Sequence, residues 1–359
     1  MKDDILRDPQ RLEALRQEID AKRRELMADL GERDLRYIRR VIRVSRGFAI
    51  AGRGLLMFAP VAPLGWVAGT LSLAVGKIVE NMEIGHNVMH GQYDWVGDRR
   101  LDSRYYEWDN VCAAEDWHQS HNVKHHDLAN IVGRDPDFGY GVMRLSHDTP
   151  WKPRHRAQVV LGATTTLLFE WGVGVHDAEP SALRDGQISF REFRSRLVAF
   201  GRKARHQLFK DYVLFPVLAL LTGNALGVLA GNFVANLLRN IWAAVVIFCG
   251  HFPQTTRTFT IEETANESRG AWYARQIEGS SNIEGGWLMH FMSGHLSHQV
   301  EHHLFPDIPS HRYREIQPWL QDLCRRYGLS YNTGSLWRQY GSVLWRIARH
   351  SGPPKLAMG

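Results

Sequence analysis

Cysteine is scarce in this chain. Three thiols, Cys112, Cys249 and Cys324, are spread over 359 residues with no C-x-x-C pair. That excludes a disulfide-stapled scaffold and argues against a cysteine-ligated zinc or iron–sulfur site; the cysteines read as free thiols in a reducing compartment. Met1 to Leu30 is charged and lacks an apolar core, so no signal peptide is expected. H-E-x-x-H is absent, which removes the zinc-protease helix. No repeat or low-complexity segment is evident. The net charge is +6, yet no nucleic-acid motif accompanies it and the basic residues flank apolar stretches. Nucleic acid is therefore not an expected partner; lipid headgroups, a phosphorylated substrate or an acidic electron carrier are.

Apolar sequence is present, in blocks. Residues 9 to 30 read as an amphipathic helix with Leu12, Leu15, Ile19, Leu26 and Leu30 on one stripe, lying on the protein or on a membrane surface. Arg39, Arg40, Arg43 and Arg46 precede an apolar region, and Gly54 to Gly76 carries no charge. This region is long enough for one span of about 20 residues or for a tight helical hairpin turning at Pro60 and Pro63. The arginines before it and the basic stretch Arg184 to Lys210 after it should both face the cytoplasm, which selects the hairpin. Arg53 would snorkel. Val159 to Val175 is broken by Thr164–Thr166 and Glu170 and reads as an interfacial or internally buried helix. Tyr212 to Gly250 divides at Gly223 to Gly231 into a second hairpin. Asn232, Asn236 and Asn240 recur on one face of it, beside Arg239, either for interhelical hydrogen bonds or for a role beside a site. His251 follows Asn240 by 11 residues, close to three turns.

Histidine is abundant and clustered. Of 18, two fall in 86–90, four in 118–126 and five in 290–303. On a helix His86 and His90 share one face, as do His121 and His125, while His126 is turned by about 100° from His125. A single H-x-x-x-H arises by chance. Three such windows brought to the same membrane face point to a metal site, and so many imidazoles without cysteine suit a dinuclear centre better than one zinc.

The words His86-x-x-x-His90, His121-x-x-x-His125-His126 and Gln299-x-x-His302-His303, with NMEIGHNVMHGQYDW (81–95) and QVEHHLFP (299–306) around them, resemble the histidine boxes of the integral-membrane fatty acid desaturases, bacterial acyl-CoA desaturases in particular. The resemblance covers roughly residues 47 to 340. It implies an all-α integral membrane fold: four transmembrane helices in two hairpins (about 47–63, 64–82, 212–230 and 232–250) under a cytosolic helical cap. An N-terminal segment (1–46) and a C-terminal tail (341–359) flank this domain. The resemblance further implies a non-haem centre of two iron ions, dioxygen as co-substrate, and insertion of a cis double bond into an acyl-CoA or acyl-lipid chain.

Carried over residue by residue, it assigns metal binding to His86, His90, His121, His125, His126, His302 and His303, with His251 in the place of a histidine ending the fourth span. Gln299 is expected to bind weakly or through water. His118, His295 and His298 exceed the boxes and, with Asn240, are candidates for the metal or its surroundings; His290 is read as structural. Glu83, Asp116, Asp127 and Glu301 are candidate acceptors for imidazole N–H groups.

No stretch has the length or motif of a haem electron-donor domain, so none is expected. A separate electron donor, a ferredoxin-like protein or a flavin-containing NAD(P)H reductase, is therefore expected. The expected location is the inner membrane, with both termini and the boxes on the cytoplasmic side. The alternatives are a membrane hydroxylase or alkane monooxygenase on the same boxes, and a non-catalytic membrane metal-binding protein.

Overall fold

The computed structural model describes residues 5–59 and 63–354. Helix α1 (Pro9–Ala28) begins on Asp8, whose carboxylate accepts from the backbone N–H groups of Gln10 and Arg11. Leu12, Leu15, Ile19 and Leu26 are buried against Tyr273, Ile277, Phe305 and Ile308, so α1 is strapped to the protein. Gly270 permits the approach: a Cβ there would stand 2.1 Å from the carbonyl oxygen of Leu12.

Helix α2 (Glu32–Met57) runs unbroken from the arginine-rich segment into the apolar one. Pro60 of the expected turn lies outside the described residues. Helix α3 spans 63–89. It is α-helical over Pro63–Val79, widens into a π-turn over Glu80–Gly85, and returns to α over His86–Met89. The first histidine window is therefore the end of this helix. Small residues let α2 and α3 touch backbone to backbone: a Cβ on Gly52 would lie 2.6 Å from the Leu73 nitrogen, and one on Gly69 would lie 2.9 Å from that of Leu56. Arg53 does not snorkel. It pairs with buried Asp211 at 3.1 Å and lies over the Phe215 ring at 3.4 Å; Lys77 holds the other oxygen of Asp211 at 2.6 Å. A carboxylate within reach is a better partner than distant water.

Helix α4 (114–128) is π-wound over His118–His125 and carries the second window. Helices α5 (Gln158–Leu167) and α6 (Phe169–His176) meet at Leu168, where the chain bends by 99° between Pro153–Leu167 and Phe169–Arg184. Helix α7 (190–222) begins as Phe190–Phe209 and ends in a 3₁₀ turn over Ala219–Thr222. The hairpin turns at Gly223 (φ +74°), and α8 (Ala225–His251) follows. This places the start of α8 seven residues earlier than 232. Gly231 lies inside α8, where it admits the Leu56 side chain, 2.6 Å from the position of a Cβ. Among the described residues, α8 alone is long and apolar enough to cross a membrane by itself; α5 and α6 with their flanks pass only as a bent pair.

After α8 come, among other short turns of helix, α9 (Arg269–Glu278), β1 (Ser281–Glu284), α10 (Gln299–Leu304), α11 (Tyr313–Tyr327), β2 (Asn332–Ser335) and α12 (Leu336–Arg349). Strands β1 and β2 pair in parallel, Ser281 opposite Asn332. The fold is thus mostly helical but not purely so. The small sheet fixes the entry to the third histidine window: Asn282 in β1 accepts from the Val300 N–H at 2.9 Å.

Candidate metal centre

The π-turn of α3 and the π-wound stretch of α4 shift side chains relative to ordinary helical spacing, and π-bulges are frequent at functional sites. Two imidazole groups result. The ligand atoms of His86, His90, His121 and His302 lie within 4.8 Å of one another, and so do those of His125, His251 and His303. His121 and His125 lie on one face, stacked at 4.9 Å and closing together on Asp137, while each also joins a different imidazole group. His126 sits between the groups, stacked on His303 at 4.4 Å and edge-on to His90 at 4.6 Å.

The rings are aimed by their outer nitrogens. His125 Nδ1 bonds Asp135 at 2.9 Å, His121 Nδ1 bonds Asp137 at 3.1 Å, His303 Nδ1 bonds Gln276 Oε1 at 2.8 Å and His302 Nδ1 bonds Tyr313 Oη at 3.2 Å. This leaves each Nε2 pointing inward. His125 and His251 face each other Nε2 to Nε2 at 3.3 Å, as do His303 and His251 at 3.1 Å and His86 and His90 at 3.3 Å. Among the described residues, the Nε2 atoms of His121 and His302 and both nitrogens of His126 are buried without a partner. Buried polar nitrogens converging in this way fit divalent metal ions, and imidazoles whose far nitrogen is held by a carboxylate, amide or hydroxyl are the usual ligands.

Burial, then neighbouring histidines, hold His126, His302 and His303 well below the ordinary imidazole range, so they are neutral and ready to ligate. His125 differs. Burial pulls it down, but Asp135 and Asp137 outweigh that and raise it to about 9. A metal at its Nε2 must therefore displace a proton.

The other expected residues fall as follows. Gln299 places Nε2 2.9 Å from His251 Nε2, and its Oε1 is buried without a partner beside the second group. Gly250 gives it room; a Cβ there would stand 2.9 Å from the amide. Glu83 bonds His295 Nδ1 at 3.0 Å and Tyr37 at 2.6 Å, not a box imidazole. Glu301 holds Tyr331 and Asn282. The Asp127 backbone carbonyl accepts from Arg275, and half-buried Asp116 is raised to about 6, chiefly by burial. His298 is buried and stacked on His290 at 4.5 Å, and His118 is exposed. Asn240 donates to the Leu167 carbonyl at 3.0 Å, away from both groups. Asn232 and Asn236 serve the Asp211 cluster between helices. Asp135, Asp137, Gln276 and Tyr313 were not singled out from sequence. Asp135-Pro136-Asp137, a carboxylate pair nine and eleven residues past the second window, was the signal available.

A narrow cavity begins at His86, His121, His125 and His251 and runs between α8 and the α5–α6 bend, walled by Phe169, Val173, Ala243 and Ile247. A slot with mainly apolar surface that ends on two imidazole groups able to hold metal ions suits a ligand with a long apolar part.

The family model described as fatty acid desaturase matches residues 61–335. The chain is 44% identical over 346 residues to the NADPH-dependent stearoyl-CoA 9-desaturase of Mycobacterium tuberculosis, covering 96% of this chain and 81% of the relative. It is 32% identical over 215 residues to fatty acid desaturase 3 of Homo sapiens, covering 60% of this chain and 45% of that protein. It is 23% identical over 282 residues to fatty acid desaturase 3 of Bos taurus, covering 77% and 60%.

Proposed function

This chain belongs to the fatty acid desaturase family, and from that premise we propose that it introduces a cis double bond into a saturated fatty acyl-CoA. The observation that carries this reading is the pair of imidazole groups at the head of one apolar cavity. Two iron ions held there, by His86, His90, His121 and His302 and by His125, His251 and His303, with His126 between them, would supply oxygen activation and removal of two hydrogens from adjacent methylenes. The protein's own part is positional. Asp135, Asp137, Gln276 and Tyr313 orient the imidazoles. Trp117, Phe169 and Val173 keep water from the chain that lies beneath them.

The membrane arrangement belongs to the same proposal. Helices α2, α3, α7 and α8 form two hairpins across the inner membrane, with both termini and all three windows on the cytoplasmic side. The basic segments flanking the hairpins support this orientation. Electrons come from a separate donor, a ferredoxin-like protein or a flavin-containing NAD(P)H reductase; the wording "NADPH-dependent" in the name of the mycobacterial relative supports such a source.

Gas chromatography of cellular fatty acids with and without the expressed chain tests the activity, and metal analysis of the purified protein tests the centre. New monounsaturated acyl chains and about two irons per chain are expected. A hydroxylated product without an alkene, or a single labile zinc, would overturn the reading.

A further inference from the structure

Four residues of α8, Asn240, Ala243, Ile247 and His251, form one stripe along the cavity, joined by Arg239. No residue of α8 before Arg239 lines it. The cavity therefore starts at the imidazoles and stops about 16 Å down the helix, eleven residues at 1.5 Å each. At that depth the lining is polar: Glu170, Arg239 and Asn240 all border the cavity. Arg239 is ion-paired to Glu170 of α6, and both are buried. Asn240 is tied to the carbonyl of Leu167, immediately before the bend between α5 and α6. That bend is what turns Glu170 back toward α8. Among the described residues, the Nε of Arg239 and the Oδ1 of Asn240 are buried with no hydrogen-bond partner.

We propose that the Glu170–Arg239 ion pair, with Asn240, is a polar floor that sets how many carbons of the acyl tail fit beyond the reacting methylenes. This rests on the desaturase reading of the cavity. The physical argument is one of mismatch. A terminal methyl can neither donate nor accept, so pushing it past the floor means separating two buried opposite charges in a medium of low dielectric. An apolar plug yields by changing rotamer; an ion pair held from two helices and braced by the Asn240–Leu167 hydrogen bond does not. The floor thus acts as a sharp limit rather than a graded one.

The test measures kcat/KM of the purified, iron-loaded protein on saturated acyl-CoAs of stepped chain length. Wild-type protein should show a steep fall over one or two added methylenes, and a gradual decline would overturn the proposal. The double variant E170L/R239L removes both charges at once, so neither is left unpaired. It should raise the ratio of longer-chain to shorter-chain kcat/KM by roughly tenfold, the scale of one methylene in an apolar pocket. N240F raises the floor and should shift the optimum to shorter chains. If active variants keep the wild-type length profile, the floor has no such role; should E170L/R239L fail to fold, N240F and the wild-type profile decide. A wild-type protein that desaturates no acyl-CoA at any length would refute the proposed function instead.

Discussion

His302 and His303 are consecutive in α10, yet they serve different groups, with their rings at 90° and centroids 5.7 Å apart. One helical step of about 100° suffices to split them. Each has its own outer partner, Tyr313 for His302 and Gln276 for His303. His302→Ala and His303→Ala should therefore each remove one iron, from different groups, and each lower desaturation by at least about 100-fold. Metal analysis should fall from two irons toward one in both. Full occupancy in either variant would show that its ring is not a ligand.

Asp135 holds His125 in its protonated form. A metal at that Nε2 competes with a proton bound up to about pH 9, so uptake by the apoprotein should strengthen as pH rises toward 9. Asp135→Asn removes the charge. Its uptake curve should move to lower pH, because less proton competition remains, while affinity at neutral pH changes by about 10–100-fold through the loosened ring. Iron titrations at several pH values check both.

Arg312 and Asp34 form a buried bidentate pair, Nε to Oδ1 at 2.6 Å and Nη2 to Oδ2 at 2.5 Å, joining the start of α2 to the start of α11. Burial pushes the Asp34 carboxyl up, but His311 and Arg312 outweigh it and hold it below the usual carboxylate range. Its contribution is therefore fully present above about pH 4 and is lost as pH falls through the depressed value. Arg312→Ala strands the carboxylate and should cost about 3–5 kcal/mol. Thermal unfolding in detergent, followed against pH, reads the acid loss and its reduction in the variant, where His311 and the Gly31 N–H remain.

Gly52→Ala places a Cβ against the Leu73 backbone and should destabilise by about 1–3 kcal/mol. Gly54→Ala meets nothing within 4 Å and should be neutral or stabilising by up to about 1 kcal/mol. Paired thermal midpoints compare the two, and equal losses would mean that α2 and α3 are not in close contact.

The imidazoles were legible in sequence because their spacing is short-range. Their division was not. Regular α-helical spacing puts His121 with His125, and they do stay stacked in the π-wound α4, yet each also joins a different imidazole group. The orienting groups were hidden for a different reason. Gln276 and Tyr313 arrive with α9 and α11, and nothing near the windows announces them. Glu83, expected to accept from an imidazole N–H, does so with His295. The division expected within Gly223–Gly231 falls at Gly223, and Gly231 is a contact point for Leu56 inside α8.

Helix α8 carries the imidazole of His251 at one end of the cavity and Arg239 and Asn240 at the other, with no break between. The spacing of the two is thus a rigid gauge, cut in helical repeats and indifferent to the loops around it. Adding or deleting one residue inside that interval would not lengthen the gauge smoothly. It would swing everything on one side by about 100° and carry His251 out of its group. Tail length in this architecture can be retuned by exchanging side chains, but not by stretching the chain.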